Sequence, residues 1–290
     1  MNILYIIHPL NGLLMIGAGA GLALYLTHHF KLSWKLWWLG ACTFVLSQVG
    51  HIPFNLFILN PLLSKHTPSL PEPWQLPVVA ICLGLSAGLF EELTRYASYR
   101  WLARDARTWS RGLLFGAGHG GMEAVILGVL VLYAYAQMVA IKDIDLSALV
   151  PVEQISLLRS QIQLYWSLPW YAALLGAVER LFALPLHLTA ALLVMQAFTR
   201  RRFRWVWLAV LLHTLTNALG VYIFETSGAY AAELTLGGLA LFNLLIIFLL
   251  RQPDPTPLPE PNLAPLPSLE YPPIQEIPET TENLEASRYL

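Results

Sequence analysis

The chain has 290 residues, of which 56% are hydrophobic, 12% are charged and ten are Trp, with a formal net charge of −1. A water-soluble domain of this size exposes far more charge, so the composition excludes an ordinary soluble protein and requires a non-aqueous solvent. No nucleic-acid signature is present; the expected surroundings are a lipid bilayer and no nucleic acid.

Long apolar runs recur, each able to cross a hydrocarbon core about 30 Å thick. They lack the alternation of strands, so the predicted class is all-α, a polytopic transmembrane bundle of about seven spans. In chain order the spans are 3–27, 36–59, 76–99, 113–139, 168–198, 206–224 and 230–250. The first begins without a basic region and reads as a retained span, not a cleaved signal peptide. The fifth is too long for one upright helix, so it tilts, bends at Pro185 or starts several residues later. The connection at 140–167, with Asp143, Asp145, Glu153 and Arg159, is expected to carry a short surface helix. Cys42 and Cys82 both fall inside spans, which argues against a disulfide framework.

Lys and Arg are distributed unevenly among the connections. Lys31 and Lys35 follow span one; Arg100, Arg104, Arg107 and Arg111 follow span three; Arg200, Arg201, Arg202 and Arg204 follow span five. The intervening connections carry only Lys65, Lys142 and Arg159. Basic loops stay cytoplasmic, so the N-terminus is expected outside and the C-terminus inside. Trp34, Trp37, Trp101, Trp109 and Trp205 near span ends read as interfacial anchors. Residues 1–251 form the expected membrane domain, with sixteen Lys and Arg against eleven Asp and Glu, a net +5. Residues 252–290 hold half of the twenty prolines and seven carboxylates against Arg288 alone, and are expected to be a disordered acidic cytoplasmic tail.

Ionisable groups inside spans are costly, and each is a functional candidate. Span three carries Glu91, Glu92 and Arg95; span four carries His119 and Glu123 in a glycine run; span five carries Glu179, Arg180 and His187; span six carries His213 and Asn217. Glu91 and Arg95, His119 and Glu123, and His213 and Asn217 are spaced four apart, each pair on one helical face. At 1.5 Å per residue, Glu91, His119 and His213 lie about 12–13 Å from the basic ends of their helices, and His187 about 20 Å. Antiparallel helices thus bring Glu, His and Asn to nearly one level in the cytoplasmic half.

A carboxylate there can serve as general base and then general acid. Imidazoles can ligate a metal or stabilise an oxyanion, and Asn supplies an amide donor. Water activation beside a peptide carbonyl is the economical combination, with Glu91 as base and His119, His213 and Asn217 positioning water and oxyanion. Blander readings stand beside it. Glu92 with Arg95 also reads as a structural ion pair, and Glu179 with Arg180 as structure or a site rim. No His-Glu-x-x-His, Gly-x-Ser-x-Gly, intramembrane Asp pair or four-Cys site is present.

The series Glu-Glu-x-x-Arg at Glu91, Glu92 and Arg95, Phe-x-x-x-His at Phe115 and His119, and His-x-x-x-Asn at His213 and Asn217 resembles the CAAX-protease and bacteriocin-processing superfamily. The Gly116–Glu123 run, with Glu179-Arg180 and His187 in the next span, resembles its YhfC branch of intramembrane peptidases more closely. That branch is held to be distantly related to PrsW proteases and to a scaffolding subunit of γ-secretase. The resemblance covers roughly 76–224. It implies an intramembrane endopeptidase, glutamic or metallo-type, with a membrane-associated protein or peptide as substrate. It implies Glu91 or Glu92 as the water-activating glutamate and His119 and His213 as catalytic or metal-binding. Asn217 would support the oxyanion. Arg95, Glu123, Glu179, Arg180 and His187 would support the site. His119, His213 and His187 are ligands enough for one divalent ion such as zinc, and a glutamate-only mechanism is equally compatible. Arg95 stands one residue closer to the glutamates than in prenyl-protein proteases, so prenylated substrates do not carry over. A non-catalytic membrane scaffold or chaperone is the alternative class, and a proton-coupled transporter the third.

Overall fold

A computed structural model describes residues 2–148 and 150–252, together with Thr280, Thr281 and Leu284. Apart from those three and Gln252, the tail expected at 252–290 lies outside the described residues. Nine α-helices run in chain order among the described residues: α1 Leu4–Phe30, α2 Trp34–Phe54, α3 Asn60–His66, α4 Glu72–Trp101, α5 Trp109–Ile141, α6 Val152–Ser167, α7 Leu175–Thr199, α8 Arg204–Ser227 and α9 Ala229–Leu249. No strand occurs among the described residues. Seven helical stretches are long and apolar enough to span a membrane, so the all-α polytopic class is met. The surface helix expected between spans four and five is α6.

Local chemistry sets the boundaries. Ser33 caps α2 by accepting the Lys35 backbone N–H at 3.2 Å. Gly228 alone separates α8 from α9 at φ 85°, a conformation that glycine adopts without steric cost. One boundary decides between expected alternatives and one differs from expectation. Leu168 precedes Pro169 and is forced into extended backbone, which ends α6. The fifth span therefore begins at a 3₁₀ turn, Ala172–Leu174, and continues unbroken through Pro185. Its first turn is capped from another helix, since Asn11 Oδ1 of α1 accepts the Ala177 N–H at 2.8 Å. The second span runs on past residue 59, because a π-helical turn, Asn55–Leu59, joins α2 to α3. Pro53 and Pro61 bracket that turn, each removing a backbone donor from the ladder.

In the most apolar 18-residue window of the α7 span 72% of residues are buried, against 39% or less in the corresponding window of every other span, so α7 is the central post. Large apolar side chains such as Phe57, Leu241 and Leu249 are more than two-thirds exposed. That inverts a soluble fold and suits a hydrocarbon surround. With no hydrophobic drive between helices in lipid, close packing carries the assembly. The glycine run of α5 supplies it on three sides. A Cβ on Gly116 would lie 2.8 Å from the His187 carbonyl oxygen of α7, and one on Gly121 3.3 Å from the Gly19 carbonyl of α1. On Gly118 it would overlap the Trp37 carbonyl of α2. His119, between these glycines, is fully buried.

Gly118→Ala should therefore cost about 1–3 kcal/mol of stability through overpacking. Gly238→Ala, whose Cβ meets nothing, should be neutral or stabilising by up to about 1 kcal/mol. Thermal unfolding of the two purified variants in detergent checks the contrast.

Candidate active site

Glu91 and Glu92 are neighbours on α4, so their side chains leave the helix in different directions. Glu91 faces α2, α5 and α7 and lines a cavity, whereas Glu92 points at α8 and is fully buried. Glu91 Oε2 lies 3.0 Å from His119 Nε2 on α5, 3.8 Å from His213 Nε2 on α8 and 4.0 Å from His187 Nδ1 on α7. Three histidines from three helices thus present one ring nitrogen each to one carboxylate oxygen. Helical rise puts Glu91, His119 and His213 at one level and His187 deeper, whereas in the structure His187 also reaches Glu91.

Behind this cluster stand two supporting networks. In the first, His213 Nδ1 lies 2.8 Å from Glu92 Oε1, and Arg95 Nη1 donates to both Glu92 oxygens at 2.9 and 2.8 Å. Arg95 and Glu92 have no exposure at all, so each neutralises the other in a medium that cannot. In the second, His187 Nε2 meets Glu123 Oε2 at 2.7 Å in a close but angled contact. Arg180 Nη1 donates to Glu123 Oε1 at 2.7 Å and also pairs with Glu179. Both His213 and His187 therefore turn one nitrogen to a carboxylate and the other towards Glu91.

That donor set fits a divalent metal. Metal-bound histidines typically hold a carboxylate on the far ring nitrogen, which fixes tautomer and orientation. His187 Nδ1 and His119 Nδ1 are buried nitrogens with no hydrogen-bond partner. Glu91, His119 and His187 offer ligand atoms within 4.8 Å of one another, as do Glu91, Glu92 and His213. In the second group Glu92 is already engaged through both oxygens by Arg95, so its geometry is that of a support to His213.

The cavity has a volume of about 750 Å³, within the usual range for ligand sites. It runs from Glu91, His187 and His213 to the end of the bundle where α8 meets α9, at Phe224, Glu225 and Ala229. That end is opposite the basic loops. Asn217 lines it one turn beyond His213, and Glu179 and Arg180 line its flank. The sequence reading passed over His51 of α2 and Asn55 at the start of the π-helical turn, which also line the cavity. Gln48 of α2 donates to Glu91 Oε1 at 3.3 Å. The spacing of Gln48, His51 and Asn55 by three and four was the available signal. Glu233 of α9 was also passed over and lines the wall.

A family model described as YhfC intramembrane metalloprotease matches residues 12–236. The chain is 31% identical over 226 residues to a Bacillus subtilis (strain 168) protein named "Uncharacterized membrane protein YhfC", covering 73% of this chain and 82% of that one. No solved structure matches. The chain belongs to the YhfC intramembrane metalloprotease family and is a multi-pass integral membrane protein.

The Glu92–Arg95 pair gives a stability prediction. Arg95→Met leaves Glu92 buried with its cation gone and should cost about 3–5 kcal/mol. Adding Glu92→Gln should recover most of that loss, as read by denaturation of the three variants in detergent.

Proposed function

We propose that this member of the YhfC family is an intramembrane endopeptidase that hydrolyses a peptide bond of a membrane-associated protein or peptide. The observation that carries the reading is the convergence of Glu91 Oε2 with ring nitrogens of His119, His187 and His213 at the head of the cavity. Such a constellation has little structural use, since a buried carboxylate needs one partner and this one faces three. With the charge rule setting the orientation, the cavity opens away from the cytoplasm, and residues 1–251 are the catalytic unit with 252–290 as a cytoplasmic tail.

In this mechanism a water between Glu91 and the scissile carbonyl gives its proton to Glu91 Oε2 as its oxygen bonds to the carbonyl carbon. Glu91 then returns that proton to the amide nitrogen as the C–N bond breaks, which releases a carboxyl and an amine product. Asn217 offers an amide N–H to the carbonyl oxygen, on which negative charge develops. Glu92, fixed by Arg95, holds His213 in place; Glu123, fixed by Arg180 and Glu179, holds His187. His119, His187 and His213 are the residues that would hold a divalent ion such as zinc. When bound, that ion supplies a Lewis acid at the carbonyl and a more acidic water. The small and apolar lining at Leu83, Gly84, Ala87, Leu186 and Gly220 suits an extended or unwound segment of a membrane-embedded chain.

Glu91→Gln keeps the shape and removes the base, so cleavage should fall by about 10²–10⁴-fold or more. The check compares membrane proteomes of cells expressing wild type or Glu91→Gln at matched levels. Fragments that vanish and full-length proteins that accumulate, and that respond equally to His119→Ala, support the reading. Matched profiles with a folded variant overturn it and favour a scaffold. Elemental analysis gives a separate expectation: about one zinc per chain in the wild type, lost in His119→Ala and His187→Ala and retained in Glu91→Gln.

A further inference from the structure

Glu91 is held by one more group besides the histidines, and that group begins a chain. Gln48 of α2 donates its amide N–H to Glu91 Oε1 at 3.3 Å. Its carbonyl is thereby turned towards His51, whose Nδ1 lies 3.2 Å away. Nε2 of His51 faces the amide nitrogen of Asn55 at 3.0 Å, and Asn55 Oδ1 accepts the Ser86 hydroxyl of α4 at 2.6 Å. A carboxylate can only accept, and this sets the sense of every link. Ser86 donates to Asn55, Asn55 to His51, His51 to Gln48 and Gln48 to Glu91. Aligned hydrogen bonds of this kind polarise one another and strengthen the last link.

The fold has arranged for this. Gln48, His51 and Asn55 are spaced by three and four residues, so they share one face of the helical stretch in which α2 passes into the π-helical turn at Asn55. Immediately beyond Asn55 the helix leaves the α register, and residues 56–66 contribute no buried side chain. The polar face thus ends where the cavity wall needs it to end.

We propose that Gln48, His51 and Asn55 are positioning residues for Glu91. By committing Oε1 to Gln48, they stop the carboxylate from rotating and leave Oε2 aimed at the three imidazole nitrogens. None of them belongs to the motif series on spans three to six. The inference rests on the reading of Glu91 as the general base, but its consequence for the carboxylate does not depend on turnover.

The test therefore has two readouts. Infrared difference spectra of the purified full chain, each taken against Glu91→Gln in the same background, isolate the Glu91 carboxylate band. Gln48→Met, an apolar side chain of similar length, should shift that band, and His51→Ala, which does not touch Glu91, should shift it in the same direction by less. The double variant should match Gln48→Met alone, because the chain acts only through its last link. On the substrate that Glu91 dependence identifies, kcat should fall about tenfold to a hundredfold in Gln48→Met with KM unchanged, as expected when a hydrogen bond to a charged group is lost. An unmoved band in both single variants overturns the inference, as do single-variant effects that add in the double. A band that moves while no fragment depends on Glu91 leaves the positioning in place and removes the protease reading. Fragments that persist over an unmoved band do the reverse. Should Gln48→Met fail to fold, His51→Ala carries the same comparison.

Discussion

Charge buried in a low-dielectric interior has to be neutralised or abandoned, and the arrangement of the bundle follows from that constraint. Glu91, Glu92, Arg95 and His119 are all at or below 6% exposure. A single unpaired ion there would cost several kcal/mol, enough to unfold a marginal membrane protein. The solution is a shared network: Arg95 meets Glu92 within α4, and the two glutamates reach histidines on other helices. Glu92 ties α4 to α8 through His213, and Glu123 ties α5 to α7 through His187. The same contacts that satisfy the charges fix four helices relative to one another. Stability and site geometry are therefore not separable in this protein, and the cavity stands where the network is left with one carboxylate oxygen facing three imidazoles.

Close approach is what makes such a network possible. A hydrogen bond between side chains on different helices needs backbones near enough for short reach, and lipid supplies no hydrophobic drive to bring them there. Gly116, Gly118 and Gly121 let α5 touch α7, α2 and α1 at backbone distance, with His119 among them. Gly120 does the same against the His187 ring, where an added Cβ would lie 2.8 Å from His187 Cδ2. The glycines and the histidine form one device: the first sets the spacing, and the second uses it. Beyond the site, Asn11 on α1 holds the start of α7, and Thr189 of α7 donates to the Asn243 carbonyl of α9 at 3.0 Å. These tie the central post to its neighbours at both levels.

Much of this was legible in the amino-acid order. Apolar run length and the shortage of charge determined an all-α bundle of seven spans, because only a helix satisfies its own backbone in hydrocarbon. Rise per residue placed Glu91, His119 and His213 at one depth, and their cost in a span marked them as a site. The family resemblance rested on those same residues. Helical periodicity, however, says which residues share a face and not what that face meets. It could not separate Glu91 from Glu92, which differ only in the direction each leaves α4. Gln48, His51 and Asn55 went unread because their spacing marks a shared face without showing that the face meets Glu91. The second span runs further than expected because the π-helical turn at Asn55–Leu59 carries the helix on into α3.

By itself, then, the sequence determined the class, the number of spans, the basic loops and the residues able to do chemistry, since these depend on local transfer energy and helical geometry. Only the tertiary structure decided that Glu91 stands among the histidines while Glu92, held by Arg95, turns to His213 on α8. It also decided that α2 belongs to the site and that the cavity opens at the end opposite the basic loops. Those facts depend on how helices far apart in the chain are rotated and packed, and that rotation is chosen by pairing buried charge across helices rather than by any one helix alone.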